Sequence, residues 1–345
     1  MEKNMKQFKK VASVLVAAMV VCLSCACKEE KPYENPFTPP VGTSSEEAPS
    51  EEATTEPSEE SQADPDATVY PFEFTDAYGN KATIEKDPER IVSCSPAVTE
   101  IIFSLGQEES IVGLTMLDNY PAEASDYPVV IEELYNPNVE SIVAAEPDLV
   151  LADSIFPEEA YNQLTELGYT VVIVNEEKNV DGVYNKIESI GKILDANKEA
   201  AEVIADMKAK IEDVKEKIAD YSDEKPTVYY CVSYGEYGDY TCGGDTFIHT
   251  IIEDAGGINI AADVKGWSYS QEDLIDADPD IIIVADWAYD DFIATAPYSE
   301  LSAVKNGQVY GVNTDSLDRQ CARNADAVAM LAEIFYPEAF AAKAA

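Results

Sequence analysis

The chain is poor in basic side chains, above all in arginine and histidine. Its 345 residues include 67 acidic residues against 23 lysines and arginines, a formal net charge of -44. Arg90, Arg319 and Arg323 are the only arginines, and His249 is the only histidine. Nucleic-acid binding needs clustered bases that neutralise phosphates, so this charge argues against a nucleic-acid partner. A single histidine argues against metal sites built from several histidines and against most histidine-based catalysis.

The sequence also lacks the motifs of common catalytic sites. It contains no Gly-x-Ser-x-Gly elbow, no phosphate-binding loop and no cysteine–histidine pair. Paired carboxylates for acid–base chemistry are always available among 67 acids, so an enzyme stays open as a second interpretation beside a binding protein. A surface adhesin or sensor module is the third.

The first 27 residues form a predicted targeting segment. Four lysines precede an apolar run, Val11–Leu23, which is typical of a signal peptide and too short to span a bilayer as a mature helix. The run leads into Leu-Ser-Cys-Ala-Cys, which resembles the lipidation site of bacterial lipoproteins. We expect the lipid on Cys27, with Cys25 as the alternative. An ordinary secretory signal with incidental cysteines is the other interpretation.

Residues 28–68 have the composition of a linker. They hold twelve acids, two lysines and seven prolines. Such a segment buries too little apolar surface to offset the entropy of ordering, and its charges and prolines keep it extended. A lipid followed by a polar spacer describes a tether, although a disordered region with a binding motif of its own stays open.

The remainder, from about Val69 to Ala345, alternates apolar runs with helical patterns. Continuous aliphatic runs are typical of parallel strands buried on both faces, and the alternation predicts βαβ units. Ser95-Pro96 resembles a helix N-cap followed by proline at the first helical position. The predicted strands are Ile91–Cys94, Ile111–Leu114, Asp148–Ala152, Thr170–Val174, Val228–Val232, Asp280–Ala285 and Val309–Val312. The predicted helices are Ala97–Leu105, Val139–Ala144, Pro157–Leu167, Thr246–Asp254 and Ala325–Phe335.

A long helical pattern separates two such regions. It runs from about Val180 to Tyr221 without proline and repeats apolar residues at three- and four-residue steps. An unbroken helix of this length would measure roughly 60 Å. The alternative is two helices with a kink near Asp195. The expected organisation is therefore an N-terminal lobe at 69–178, an interlobe helix at 179–222 and a C-terminal lobe at 223–345.

The two lobes share an internal repeat. The twelve residues that begin at Glu140 align without a gap with those that begin at Glu272, at an offset of 132. Each copy predicts a short helix, a turn at proline and a core strand. The leading glutamate matches in both copies, although an exposed helix start does not require that residue type.

The order of these motifs resembles a known family, the substrate-binding proteins of ABC importers for ferric siderophores, haem and vitamin B12. The resemblance runs from about Phe74 to Phe335 and rests on Thr75–Asn80, Pro88–Glu100 and Asn136–Leu151. It implies an α/β fold of two Rossmann-like lobes with parallel sheets, joined by a long rigid helix, as in class III periplasmic binding proteins. It also implies a monomer with no cofactor, no catalysis and no structural metal.

The resemblance also implies two partners. In the family, a glutamate on the rim of each lobe pairs with arginines of the dimeric membrane permease, which works with an ATPase. Glu140 and Glu272 fall on that pattern and are equivalent in the repeat. The other interpretation is an ordinary acid in the first turn of a helix. The protein would lie on the outer face of the cytoplasmic membrane, held there by its lipid.

The ligand would sit between the lobes, at the loops that follow the strands. Aromatic side chains suit large flat chelates, and Arg319 would meet an anionic group. The chelate stays open between a ferric siderophore and a corrinoid such as cobalamin. Haem is an alternative, with Tyr289 or Met116 as axial ligand, because His249 falls off the buried helix stripe and reads as a surface residue. The candidate aromatic residues are Tyr120, Tyr135, Tyr234, Tyr237, Trp267, Tyr269, Trp287 and Tyr289.

Four cysteines lie in the folded part. Outside the cell an even number could pair, and Cys231 with Cys242 is one candidate disulfide. Free buried thiols are the other interpretation, because the module is large enough to fold without cross-links. The other two are Cys94 and Cys321.

Overall fold

The computed structural model describes residues 66–221 and 224–341. Most of the linker and the whole targeting segment, with Cys25 and Cys27, lie outside the described residues. In the part that is described, no helix is both long enough and apolar enough to cross a membrane.

The N-terminal lobe is built on a five-stranded parallel sheet. An antiparallel hairpin, β1 (Phe72–Thr75) with β2 (Lys81–Ile84), precedes it. The strand order is β5-β4-β3-β6-β7. The strands are β3 (Ile91–Ser93), β4 (Ile111–Thr115), β5 (Val129–Ile131), β6 (Leu149–Ala152) and β7 (Val171–Ile173). Its helices are α1 (Pro96–Ser104), α2 (Val139–Ala144) and α3 (Glu158–Glu166).

The C-terminal lobe repeats this plan with four parallel strands. Their order is β11-β10-β8-β9. The strands are β8 (Thr227–Cys231), β9 (Ile258–Asn259), β10 (Ile281–Ala285) and β11 (Val309–Val312). Two interlobe helices precede them, α4 (Val180–Ile193) and α5 (Asn197–Ile218). The lobe's own helices are α6 (Phe247–Asp254), α7 (Gln271–Ala277), α8 (Tyr289–Ala294), α9 (Ser302–Lys305), α10 (Asp315–Asp318), α11 (Asn324–Phe335) and α12 (Pro337–Phe340).

The interlobe pattern forms two helices, as in the alternative to one unbroken helix, but a reversal of the chain joins them in place of the expected kink. The chain reverses at Asp195, whose φ is 50°, a left-handed conformation. Lys208 of α5 places its Nζ 4.8 Å from the ring centroid of Tyr184 in α4, so the second helix folds back along the first. A Cβ on Gly191 would lie only 2.6 Å from the Cβ of Ala200, so glycine permits this close approach.

The break between the helices also holds the start of the folded module. Thr68 donates its hydroxyl to the Lys192 carbonyl at 2.8 Å, and Tyr70 donates to the Ile193 carbonyl at 2.8 Å. The linker therefore enters the module beside the interlobe helices.

The lobes share one continuous core. Val183, Ile187 and Ile190 of α4 are fully buried. They belong to a single apolar cluster that extends from the N-terminal sheet to α6 and α11 of the other lobe. Apolar burial of this kind opposes large hinge movements, because opening the seam would expose the cluster to water.

The internal repeat is visible in local geometry that the sequence alignment did not use. Asn138 caps α2 by accepting from the Glu140 and Ser141 amides, and Ser270, 132 positions later, caps α7. Glu146 and Asp278, again 132 apart, both adopt positive φ, at 51° and 37°. The predicted cap at Ser95 is different: its backbone is extended before Pro96, but its hydroxyl donates to Asp153 instead of capping α1.

Two equivalent aspartates tie each repeat to the neighbouring strand. Asp148 accepts from the Arg90 amide at 2.9 Å, at the start of β3. Asp280 accepts from the Thr227 amide at 2.8 Å and from its hydroxyl at 2.6 Å, at the start of β8. Each carboxylate thus accepts a hydrogen bond from a backbone amide where an inner strand of its sheet begins.

We predict that Asp148→Ala and Asp280→Ala each lower the free energy of unfolding by about 1–2 kcal/mol, because charge-assisted bonds to a strand start are lost. Chemical denaturation measures this. Asp126→Ala, an exposed aspartate in a loop, is the control and should change stability by less than about 0.5 kcal/mol. Equal changes in the free energy of unfolding for all three variants would show that these hydrogen bonds do not stabilise the fold.

Candidate functional site

The candidate site lies where the strands of both lobes end. In each parallel sheet the carboxyl ends of all strands share one edge, and the loops that follow carry most of the candidate residues. Hydrogen bonds between the loop after β4 and the segment after β11 join the two edges. These loops therefore meet at an interlobe cleft.

A buried ion cluster holds the two edges together. Glu100 of α1, with 3% of its side chain exposed, accepts from Arg319 Nη1 at 2.8 Å. Arg323 binds the same carboxylate through Nε at 2.7 Å and Nη2 at 2.5 Å. Cys321 donates its thiol to Oε2 at 3.0 Å; burial, and next the charge of Glu100, raise the pKa of that thiol. A single carboxylate of the N-terminal lobe thus binds two of the three arginines of the chain.

Arg319 makes further contacts between the lobes. Its Nη1 donates to Asn119 Oδ1 at 2.7 Å and its Nη2 to the Leu117 carbonyl at 3.3 Å, while Asp315 lies 3.2 Å away. Its side chain is 13% exposed and contacts several acceptors of the protein. Arg319 therefore joins the lobes, and its expected contact with an anionic group on the ligand stays a prediction.

A second set of hydrogen bonds between the lobes, made by Gln320, lies beside the ion cluster. Gln320 accepts from the Glu177 amide at 2.9 Å and donates to the Glu177 carbonyl at 2.7 Å, in the manner of a paired strand. Lys186 of α4, which is buried, donates to the same Gln320 oxygen at 2.9 Å. Burial lowers the pKa of Lys186. The seam is therefore closed by specific polar contacts as well as by the shared core.

Two large side chains are exposed at the central strand ends, one on each lobe. Trp287 follows β10 and is 53% exposed. Met116 follows β4 and is 55% exposed. Single exposed apolar side chains are common on protein surfaces, but these two lie at the strand ends of the two lobes, and side chains of this size suit a flat ring system. Tyr289, which begins α8, is half-buried and packs beside Gly311 of β11.

Tyr120, also exposed, belongs to a different surface. It stacks on Arg323, whose guanidinium carbon lies 4.1 Å from the ring centroid. Together with Phe103 and Met207 it lines a groove of about 380 Å³ against α5. The structure therefore joins Tyr120 to the ion cluster and the interlobe helices.

The loop after β8 brings several aromatic rings together. Tyr234 packs edge-on against Phe292 and Tyr298, at centroid distances of 5.1 and 5.4 Å. Its hydroxyl donates to Asp291 at 2.8 Å, and burial, with this bond, raises the pKa of Tyr234. Tyr298 donates to Asp239 at 2.5 Å. Tyr298 was not among the predicted site residues, because the start of a short helical turn carries no sequence signal of a role.

The other aromatic candidates lie deeper or elsewhere. Trp267 and Tyr269 are buried, at 8% and 9% exposure, and Tyr269 packs against Tyr229. Tyr135 is half-buried in the N-terminal lobe. Tyr237 ends a short helical turn, Gly235–Tyr237, but its side chain lies outside the described residues. Trp267 and Tyr269 therefore support the loops by packing, and an exposed ligand contact is not available at either in this structure.

Glu140 and Glu272 occupy equivalent places on the rim. Each is the second residue of its helix, α2 or α7, and each is exposed. In a βαβ unit the helix runs opposite to the strands, so both helix starts lie at the carboxyl edge, beside the cleft. Among the described residues, no ion pair involves either carboxylate.

In the described part of the chain, His249 and the cysteines belong to no metal-ligand cluster. His249 is 12% exposed in its side chain, between Glu253 and Asn259, so its expected surface position is wrong. The four cysteines Cys94, Cys231, Cys242 and Cys321 are free and buried, which confirms the interpretation as thiols. Within residues 66–221 and 224–341, no cluster of three or more histidine, cysteine or acidic residues could hold a metal ion.

The chain is similar to known solute-binding proteins. The family model described as periplasmic binding protein matches residues 91–315. An uncharacterized ABC transporter substrate-binding lipoprotein of Bacillus subtilis is 35% identical over 81% of this chain and 90% of its own. A cobalamin-binding protein of Halobacterium salinarum is 31% identical over 78% of this chain and 75% of its own.

The fold has solved counterparts. The crystal structure of a possible iron-binding, periplasmic solute-binding protein of Staphylococcus epidermidis superposes with a TM-score of 0.65 at 30% identity. It covers 73% of this chain and all of that one. The two-lobed class III architecture expected from the sequence is therefore confirmed.

We predict that Glu100→Gln destabilises the protein by about 3–5 kcal/mol, because it removes the carboxylate that Arg319 and Arg323 share and leaves Arg323 without an ion-pair partner among the described residues. The measurement is the free energy of unfolding from denaturant titration. Glu109→Gln, an exposed acid in the same lobe, is the matched control. A loss no larger than that of the control would show that the cluster does not stabilise the fold.

Proposed function

Because the chain belongs to the periplasmic binding protein family, we propose that it captures a metal chelate in the interlobe cleft and delivers it to an ABC importer. The chelate is a ferric siderophore or a cobalamin-type corrinoid. The observation that carries this proposal is the pair of exposed side chains, Trp287 and Met116, at the ends of central strands in two lobes fixed against each other.

The arrangement suits binding better than chemistry. The lobes are held by a buried ion cluster, the Gln320 seam and a shared core, so the walls of the cleft are fixed before the ligand arrives. Preorganised walls reduce the entropy lost on binding. The relatives fit this use: one is named as a substrate-binding lipoprotein of an ABC transporter and another as a cobalamin-binding protein.

We further propose that Glu140 and Glu272 dock the protein on the permease. They are exposed, unpaired by bases in the described structure, related by the repeat and placed on the cleft rim. Two equivalent carboxylates on two pseudo-symmetric lobes match a permease dimer with one basic patch on each subunit. An ATPase bound to that permease would drive the transport.

The tether completes the proposal. Lipidation of Cys27, or of Cys25, would hold the protein on the outer face of the cytoplasmic membrane, and the acidic linker would separate it from the bilayer. The similarity to a lipoprotein of Bacillus subtilis supports this location.

Ligand binding is tested by thermal shift and absorbance on the full chain in detergent, with cyanocobalamin, haem and several ferric siderophores. A bound ligand should raise the melting temperature. We expect Trp287→Ala combined with Met116→Ala to weaken binding of the best ligand at least tenfold, because the apolar walls are lost. Leu167→Ala, exposed at the opposite sheet edge, should leave affinity unchanged. No shift with any chelate would reject the proposal.

Docking is tested by charge reversal. Glu140→Arg with Glu272→Arg should abolish uptake of the identified ligand in cells while its affinity for the purified protein stays the same, because the pair contacts only the permease. The control is Glu166→Arg, at the end of α3, with Asp276→Arg, near the end of α7. It makes the same charge change at exposed positions away from the cleft rim and should transport normally. Unimpaired uptake by the rim variant would disprove the docking role.

A further inference from the structure

We infer that the cleft selects chelates without net negative charge, which favours uncharged or cationic ligands over anionic ones. This inference rests on the proposed function, since it concerns the ligand of the same cleft. It follows from the charges that the loops at the carboxyl edges present, and from the use already made of the arginines.

Acidic side chains dominate these loops. The loops that follow the strands hold thirteen acids and four bases, when the short helix α10 is included and the loop after β4 is counted up to Pro121. The bases are Lys178, Lys265, Arg319 and Arg323. The acids are Asp118, Glu132, Glu133, Asp153, Glu176, Glu177, Glu236, Asp239, Asp245, Asp263, Asp286, Asp315 and Asp318.

The two arginines already bind acceptors of the protein. Both donate to Glu100, and Arg319 also donates to Asn119 and Leu117. Their positive charge is therefore balanced by Glu100 and by Asp315, which lies 3.2 Å from Arg319. The two lysines are exposed, but Lys178 directly follows Glu176 and Glu177, and Lys265 lies two residues from Asp263. The loop after β7 therefore keeps a net negative charge, and the loop after β9 is neutral.

Several of the acids accept from neutral donors. Asp118 accepts from the Thr115 amide and hydroxyl at 2.8 and 2.6 Å, and Asp153 from the Ser95 hydroxyl and the Ile155 amide. Arg319 also acts on Asp118, and Lys186 on Asp153, so the exposed Asp286 is the clearest case of a carboxylate with neutral partners. Asp286 accepts from the Trp287 amide at 2.6 Å. Neutral donors orient a carboxylate without cancelling its field, so an anionic ligand entering here meets repulsion.

The exposed Trp287 would favour uncharged or cationic ligands. Its side chain is 53% exposed, and its amide donates to the Asp286 carboxylate. A ring of this kind accepts an uncharged planar surface, and its negative face attracts a cation. Asp286 and Trp287 together would therefore accept a neutral corrinoid or a cationic hydroxamate chelate and disfavour a chelate that carries carboxylates outward.

The test uses series of related ligands whose main difference is charge. Cyanocobalamin is compared with its monocarboxylic acid, in which one side-chain amide is hydrolysed. Ferrioxamine B, a cation, is compared with its neutral N-acetyl and its anionic N-succinyl derivatives. We expect the anionic member of any series that binds to have at least tenfold lower affinity than the uncharged one. The gap should widen as ionic strength falls, because salt screens the repulsion.

A pair of variants locates the effect. Asp286→Asn should raise the affinity of the anionic member relative to the neutral one, and Asp276→Asn, at the far end of α7, should not. Equal or tighter binding of the anionic members, or binding of haem or a ferric tricatecholate alone, would overturn the charge inference and leave the proposed function standing. Failure of every chelate, these two included, would reject the proposed function, and the charge inference with it.

Discussion

The structure depends on one carboxylate, Glu100, and on the two arginines that it holds. A buried charge is stable only when it is paired and hydrogen-bonded, and here each partner comes from the opposite lobe. Because Glu100 stands on α1 and the arginines follow β11, the cluster fixes the loops of one sheet edge against those of the other. The shape of the cleft between them follows from this constraint.

The same constraint explains which predictions from sequence succeeded. Sheets, helices and the repeat follow from local patterns: aliphatic runs such as Ile281–Ala285 are strands because both of their faces are buried. The break at Asp195 was less predictable, because apolar spacing continues through it on both sides. The helix ends where Asp195 adopts a left-handed conformation, and Gly191 permits the second helix to pack closely against the first. Neither feature changes the spacing of apolar residues, so the sequence pattern does not indicate them.

The site was predictable in part only. Loop position predicted that Trp287 and the rim glutamates lie at the carboxyl edges, since parallel sheets determine where loops emerge. It could not distinguish exposed aromatics from packed ones, so Trp267 and Tyr269 were included although they are buried. The contacts of Arg319 were less predictable still, because Glu100, the carboxylate that it binds, lies 219 residues away in the sequence.

The charge of the chain gains a different meaning from this result. In a protein with a net charge of -44, a cation near the cleft could serve either the fold or the ligand. Arg319 and Arg323 stabilise the contact between the lobes, and the exposed Asp286 carboxylate accepts from the neutral amide of Trp287. On the charge selection inferred for the cleft, the contacts that fix the lobes also determine how little positive charge an anion would meet there. Fold and selectivity would then be coupled through one pair of arginines.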